Sequence, residues 1–304
     1  MKTDTQLIPS AEIDTEKWDH CINQSSNGLI YATSAYLNFM CDNWHGLVID
    51  DYRVVMPIPW RKKMGLRYGY VPAFMQQLGV IGNIETIHLT KSMQPVHTFL
   101  SLADIHFNFL NTKVQDHFPV FPRTNLVIDL VTGYENIYSR YRNDLKENIR
   151  KAESEKLVYA DGSIQEAISL YYEYYSIRMQ HIKKEDYNRF QSLCELLQGN
   201  NQCFVKTVRD TNGEILAIGL FLKDGKRIYN IMNTTLPEGR EKEANHFLLD
   251  KLIREFAGQS FLFDFEGSEL PGVKHFYESF GAVNQPYFHY HFNGLPWLLR
   301  LFKR

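Results

Sequence analysis

The chain has 304 residues, of which 44% are hydrophobic, 14% aromatic and 22% charged, enough apolar material for a packed core and incompatible with a disordered chain. A formal net charge of −2 excludes nucleic-acid binding driven by overall charge and leaves only a local basic patch to consider. The four cysteines, Cys21, Cys41, Cys194 and Cys203, form no CxxC pair, so the expectation is reduced thiols in a cytoplasmic protein rather than a disulfide or zinc framework.

The polar, acidic N-terminus (MKTDTQLIPSAEIDTEKW) has no apolar segment of signal-peptide type. Spacing then predicts helices at 16–23 and 31–40, strands at 47–50, 53–60 and 67–71, and a helix within 86–102 that Pro95 kinks or delimits. Strands at 104–109 and 124–130 close this half. Arg61, Lys62 and Lys63 sit at a hairpin turn and read as a solvated tip. The stretch from Gln76 to Gly82 holds two glycines in an apolar context, which fits glycines beside a ligand cleft better than a phosphate loop.

Residues 134–155 carry Ile137, Tyr141, Leu145, Ile149 and Ala152 at helical spacing. Arg142, Lys146 and Arg150 make a basic stripe on that helix. Helices at 164–184 and 187–197 follow. The period then switches to two, with strands at 203–209, 215–223 and 227–233 separated by Thr-Asn-Gly and Lys-Asp-Gly turns, an antiparallel meander. A helix at 244–256 ends at Gly258. A strand at 261–265, a short helix at 273–279 and a last strand at 285–292 complete the order. No run reaches the ~18 apolar residues of a membrane helix, and the tail LPWLLRLFKR at 295–304 is expected to dock on the body.

The stretch FLFDFEGSELPGVKHFYESFGA, 261–282, is the most specific in the chain. Strand alternation places Asp264 and Glu266 on one face and Phe263 and Phe265 on the other. Two acids at the carboxyl end of a strand, beside a glycine loop, stand where open α/β sheets hold ligands. Tyr277 follows on the next helix. An alkyl ammonium titrates near ~10.4, so freeing the amine at neutral pH costs about 4–5 kcal/mol and calls for a nearby base. Glu266 is the candidate base, Asp264 the second carboxylate and Tyr277 a proton donor to the leaving group. Alternation also turns Tyr229 and Asn233 toward an acceptor, with Ser268 in the loop. The pair His289 and His291 shares a strand face, but no third ligand has suitable spacing, so no metal is expected.

This element order, with the segments NDLKENIRKAE and FDFEGSELPGVKHFYESFGA, resembles the tandem-GNAT proteins of the acyl-CoA N-acyltransferase superfamily, which include the Fem-type peptidoglycan aminoacyltransferases. The resemblance implies an α/β (α+β mixed sheet) fold of two tandem GNAT-like domains, at 1–130 and 131–304, the second carrying the acyl-transfer site. It implies N-acyl transfer (acetyl, acyl or aminoacyl) to a small-molecule or peptide amine, with acyl-CoA or aminoacyl-tRNA as donor. Fem-type enzymes carry Phe-Lys before the Phe-Gly turn; here the matching pair is Phe276–Tyr277, and the cation is missing. The segment that would cradle a pyrophosphate, PEGREKEANHFLL, offers Gly239, Arg240 and Asn245 as contacts, while Glu241 and Glu243 oppose an anion. The alternative is a non-catalytic binding module with a degenerate donor site. RNA binding, with tRNA as partner, has only the basic stripe behind it.

Overall fold

The computed structural model describes residues 4–267 and 269–295. The chain divides into two compact units, one formed by the described residues up to Arg123 together with those from Pro286 onward, the other by Thr124–Gln285. The division expected from the resemblance falls between residues 130 and 131.

The first unit opens with β1 (Thr5–Pro9), α1 (Thr15–Gln24), α2 (Ser34–Met40), β2 (Trp44–Ile49), β3 (Val54–Lys63) and β4 (Leu66–Gly69). The Asp14 side chain caps α1 by accepting the Lys17 N–H, and Trp18, Cys21 and Ile22 bury its apolar face. The helix expected within 86–102 forms as two short pieces, α3 (Leu89–Ser92) and α4 (Gln94–Phe99), with Pro95 in the first turn of the second. Strands β5 (Leu102–Phe107) and β6 (Val120–Arg123) follow.

The second unit begins with β7 (Leu126–Asp129), α5 (Tyr134–Ser139), α6 (Asn143–Ser154), β8 (Val158–Asp161), α7 (Ile164–Tyr175) and α8 (Lys184–Gly199). The helix expected over 134–155 is broken, because the Arg142 N–H donates to the Ser279 carbonyl at 2.9 Å instead of continuing the helical ladder. The meander forms as β9 (Cys203–Arg209), β10 (Ile215–Lys223) and β11 (Arg227–Thr235). Then come α9 (Pro237–Glu241), α10 (Ala244–Phe256), β12 (Leu262–Asp264), α11 (Pro271–Ser279) and β13 (Val283–Asn284). The seven strands lie in the order β13-β7-β12-β11-β10-β9-β8. Phe221, Ile228, Phe263 and Phe265 bury against Leu145 and Ile149 of α6 and Leu248 and Leu252 of α10. On the other sheet face Cys203 of β9 lies beside Cys194 of α8, and α7 packs on β10 and β11.

The last strand, β14 (Tyr287–Asn293), forms where a strand was expected but pairs in the first unit, between β5 and β6. The first sheet therefore runs β1-β2-β3-β4-β5-β14-β6. Ile105, Phe107, Phe288 and Tyr290 face a core with Val96, Val114 and Phe118. Among the described residues no helix is long and apolar enough to cross a membrane. Residues 296–304 of the expected docked tail lie outside those described.

Candidate functional site

Strand β11 runs parallel to β12, but the two pair only from Arg227↔Leu262 to Tyr229↔Asp264. Past that point the Phe265 N–H turns to the Leu126 carbonyl of β7, and β11 continues to Thr235 bonded on its β10 side alone. The two parallel strands thus part like a V. A bulge sits at the parting, since Leu220 pairs Met232 while Phe221 pairs Asn230, leaving Ile231 as the extra residue.

That bulge decides which side chains meet. Asn230 and Asn233 lie opposite Phe221 and Gly219, so both point to the face that α10 covers, where Leu248 comes within 3.2 Å of the place a Cβ on Gly219 would occupy. Tyr229, opposite Leu222, is turned to the other face, fully buried, with its hydroxyl donating to Asp224 at 2.5 Å. The expectation that Tyr229 and Asn233 share a face therefore fails, because a single extra residue reverses strand alternation.

Asn230 is 4% exposed, and both polar atoms of its amide lack a hydrogen-bond partner in the protein, as do Asn233 Nδ2 and Thr234 Oγ1 on the same strand and Asn245 Oδ1 in the first turn of α10. Each such buried group left unmet costs about 1–3 kcal/mol. Four of these five atoms lie on β11 beyond its last pair with β12.

The acids do not act as a pair. Asp264 is 1% exposed and forms a buried ion pair with Arg227, itself 3% exposed. The same Asp264 Oδ2 accepts from Asn125 Nδ2 at 3.1 Å, and Oδ1 accepts the Glu266 N–H at 2.9 Å. Arg227 also donates to Gln285 Oε1 at 2.7 Å. Asp264 is thus spent on holding the strand end and cannot serve as a second free carboxylate. β12 ends at Asp264, and Glu266 adopts φ 63°, the left-handed region that non-glycine residues seldom enter. Alternation stops there, which sends the half-buried Glu266 side chain in a direction of its own.

Tyr277 stacks on Phe265, ring centroids 4.5 Å apart, and the Asn230 amide lies beside its phenol without hydrogen-bond geometry. Burial first, then the neighbouring Tyr175 and Glu266, raise the Tyr277 phenol above its ordinary value. It is a neutral hydroxyl at physiological pH. The structure thus brings Glu266, Tyr277, Asn230 and Tyr175 together at the parting strands. Asn230, Tyr175 and Arg227 escaped the sequence reading; an asparagine inside a strand otherwise made of β-formers was the one available signal. Ser268 lies outside the described residues.

The expected donor loop is helical. In α9 the amides of Arg240, Lys242 and Glu243 bond to Leu236, Glu238 and Arg240, so they cannot cradle a phosphate. Glu243, at φ 55°, occupies the N-cap of α10, receiving Lys151 at 3.2 Å and His246 at 3.0 Å. Its carboxylate makes no capping bond to the first-turn amides of α10. Gly239 is required for packing: a Cβ there would stand 2.1 Å from the Leu216 carbonyl oxygen. Gly239→Ala is expected to lower stability by about 1–3 kcal/mol, read as a fall in urea midpoint. Arg240 is exposed.

In the first unit, the Gln76–Gly82 stretch is a loop whose groups are consumed internally. Val80 O accepts from Asn27, Asn108 and Asn111, and the N–H groups of Val80 and Gly82 donate to Asn111 and Asn27. A Cβ on Gly79, at φ 71°, would stand 2.8 Å from Phe107 Cα. Arg61 is no free cation; it pairs with Asp42 at 2.5 Å and lies over the Tyr70 ring at 4.0 Å. At the N-cap of α6, Arg142 contacts His275 and Glu278. A cleft of about 1020 Å³ in this unit is lined by both signs of charge, its Lys17 and Lys113 paired to Asp51 and Glu85, and none of the acyl-transfer candidates reaches it.

The family model Acetyltransferase (GNAT) domain matches residues 139–276. No curated protein matches the chain by sequence. Among solved structures, FemX is similar over 100% of both chains at 12% identity and TM-score 0.69. A conserved protein of unknown function from Bacteroides thetaiotaomicron VPI-5482 is similar over 92% of this chain and 97% of its own, at 12% identity and TM-score 0.62. L-PGS from Bacillus licheniformis is similar over 95% of each chain, at 14% identity and TM-score 0.53. The chain has a tandem GNAT fold with FemX-like similarity, mixed α/β in both halves.

Proposed function

We propose that this tandem GNAT-fold chain is an N-acyltransferase whose second unit joins an acyl donor to an amine at the parting of β11 and β12. The observation that carries the reading is the set of buried polar atoms of Asn230, Asn233 and Thr234 that no protein group meets on β11 beyond its last pair with β12, with Asn230 and Glu266 both beside Tyr277. An ammonium proton passes to Glu266, the freed amine nitrogen bonds to the donor's carbonyl carbon, and the C–S or C–O bond breaks as the leaving group takes the Tyr277 hydroxyl proton, which the second proton lost by the amine nitrogen replaces. The asparagine amides orient the polar groups of donor and acceptor.

Tyr277 adds a criterion for the donor. A thiol titrates near ~8.5 and an ordinary phenol near ~10, so a phenol raised further protonates a thiolate only uphill. The alkoxide released from an ester is a stronger base than a thiolate, so the same phenol is better matched to it. With α9 closing the usual phosphate cradle, this favours an ester donor of the aminoacyl-tRNA kind over acyl-CoA, the donor that a GNAT domain implies in general. A panel of acyl-CoA and aminoacyl-tRNA donors with amine and peptide acceptors tests it. Transfer from the ester donors is expected. Transfer from acyl-CoA alone overturns the donor assignment, and no transfer from either overturns the enzyme reading.

The occupied α9 amides and the Glu243 carboxylate favour one second reading, a binding module that has lost its donor site. In that case amine ligands raise the melting temperature by mass action while CoA, aminoacyl-tRNA and Glu266→Gln change nothing.

A further inference from the structure

A second cleft of the first unit, about 870 Å³, is walled by β1, β4 and the α3–α4 pair. The ionisable groups on its walls are Arg67, His88, Lys91 and a single acid, Asp4. Their signs do not cancel. In the larger cleft Lys17 and Lys113 are paired to Asp51 and Glu85, whereas among the described residues Arg67, His88 and Lys91 of this one form no ion pair. Asp4 is engaged with its own strand, its Oδ2 accepting from Gln6 Nε2 at 3.0 Å.

Arg67 is held in place without being neutralised. It pairs with Lys62 across β3 and β4, its carbonyl accepts the Ser101 N–H at 2.8 Å, and its guanidinium lies over the Phe99 ring, 4.4 Å from the centroid. A ring beneath one face fixes the plane of the guanidinium and leaves the N–H groups at its edge for an acceptor. Its charge is felt nearby: burial first, with Arg67 adding to it, holds the His45 imidazole below its ordinary value.

We propose that this cleft binds a small organic phosphate monoester. Arg67 comes from β4, Lys91 from α3 and His88 from the residue before α3. A carboxylate has two oxygens to offer and a monoester phosphate has three terminal ones, so nitrogen donors on three side chains suit the phosphate better. The phosphate alone does not fill the space, whose volume lies within the ~300–1,000 Å³ of small-molecule sites. Half-buried Leu7, Pro95 and Phe99 give the organic part an apolar wall. The cleft belongs to the first unit, and the proposal stands apart from the acyl-transfer reading of the second.

The test titrates untagged full-length protein by calorimetry, in a buffer free of phosphate and sulfate, with phenyl phosphate, inorganic phosphate and benzoate. Phenyl phosphate is expected to bind more tightly than either of the others. Arg67→Gln should weaken it by about tenfold or more and Lys91→Gln by about threefold. Lys113→Gln removes a cation from the other cleft and should stay within about twofold of wild type. Raising NaCl to about 0.3 M should weaken binding severalfold. Arg67 and Lys91 are exposed, and melting temperatures check that the variants fold; should Arg67→Gln not fold, Lys91→Gln decides. Absence of phenyl phosphate binding, inorganic phosphate or benzoate binding as tightly, wild-type affinity in the folded deciding variant, or an equal loss in Lys113→Gln overturns the proposal. So does binding confined to phosphatidic acid vesicles, which assigns the cleft to a lipid headgroup instead.

Discussion

Arg227→Leu is expected to cost the second unit about 3–5 kcal/mol, because it strands the Asp264 carboxylate in the core without its partner. For a unit of this size that is a fall in melting temperature of roughly 6–20 °C. Asp264→Asn should cost a similar amount for the mirrored reason, leaving the buried Arg227 guanidinium without its carboxylate. The asparagine still accepts the Glu266 N–H, so the strand end keeps part of its geometry. Combining the two as Arg227→Met with Asp264→Asn removes both charges and should recover more than half of the loss, since the penalty of a broken buried pair lies in the charge left behind. Thermal and urea melts of the three proteins measure this. If Arg227→Leu shifts stability by less than about 1 kcal/mol, the pair does not anchor the strand end.

The ion pair also shows where sequence reasoning reached its limit. The meander, α10 and the strand–loop–helix of 261–282 were legible, because period-two and period-3.6 patterns with Gly and Pro boundaries report local structure. The face of each carboxylate was not. Asp264 and Glu266 alternate only if the strand continues; the chain leaves the strand at Phe265 and enters a left-handed turn at Glu266. Likewise the bulge at Ile231 puts Asn230, not Tyr229, beside Asn233. One extra residue has no composition signal. The partner of Asp264 comes from β11, 37 residues away. Long-range pairing of this kind follows from topology and is invisible to spacing. Four short strands, β1, β6, β8 and β13, were missed for a related reason: at two to five residues each they hold too few alternations to stand out.

Glu266→Gln separates chemistry from architecture at the site. Glutamine keeps the size of the side chain and the backbone N–H that donates to Asp264, so the melting temperature should stay within about 2 °C of wild type. If Glu266 takes the ammonium proton, kcat/KM at pH 7 should fall by about 10²–10⁴. The pH dependence fixes the role. Without a base, reaction must wait for acceptor molecules that are already free amines, a fraction that rises tenfold per pH unit until the amine's own value near ~10.4. The variant's log rate should therefore climb with unit slope from pH 7 to about 10, while wild type rises less steeply, and the two should converge. Tyr277→Phe supplies the contrast. Its phenol is protonated throughout that range, so its loss should lower the rate by a similar factor at pH 7 and at pH 9, and should be felt more with poorer leaving groups. A Glu266→Gln deficit that stays constant across pH would mean that Glu266 positions the acceptor rather than deprotonating it, and the base would then have to be sought in the acceptor's own desolvation at the strand parting.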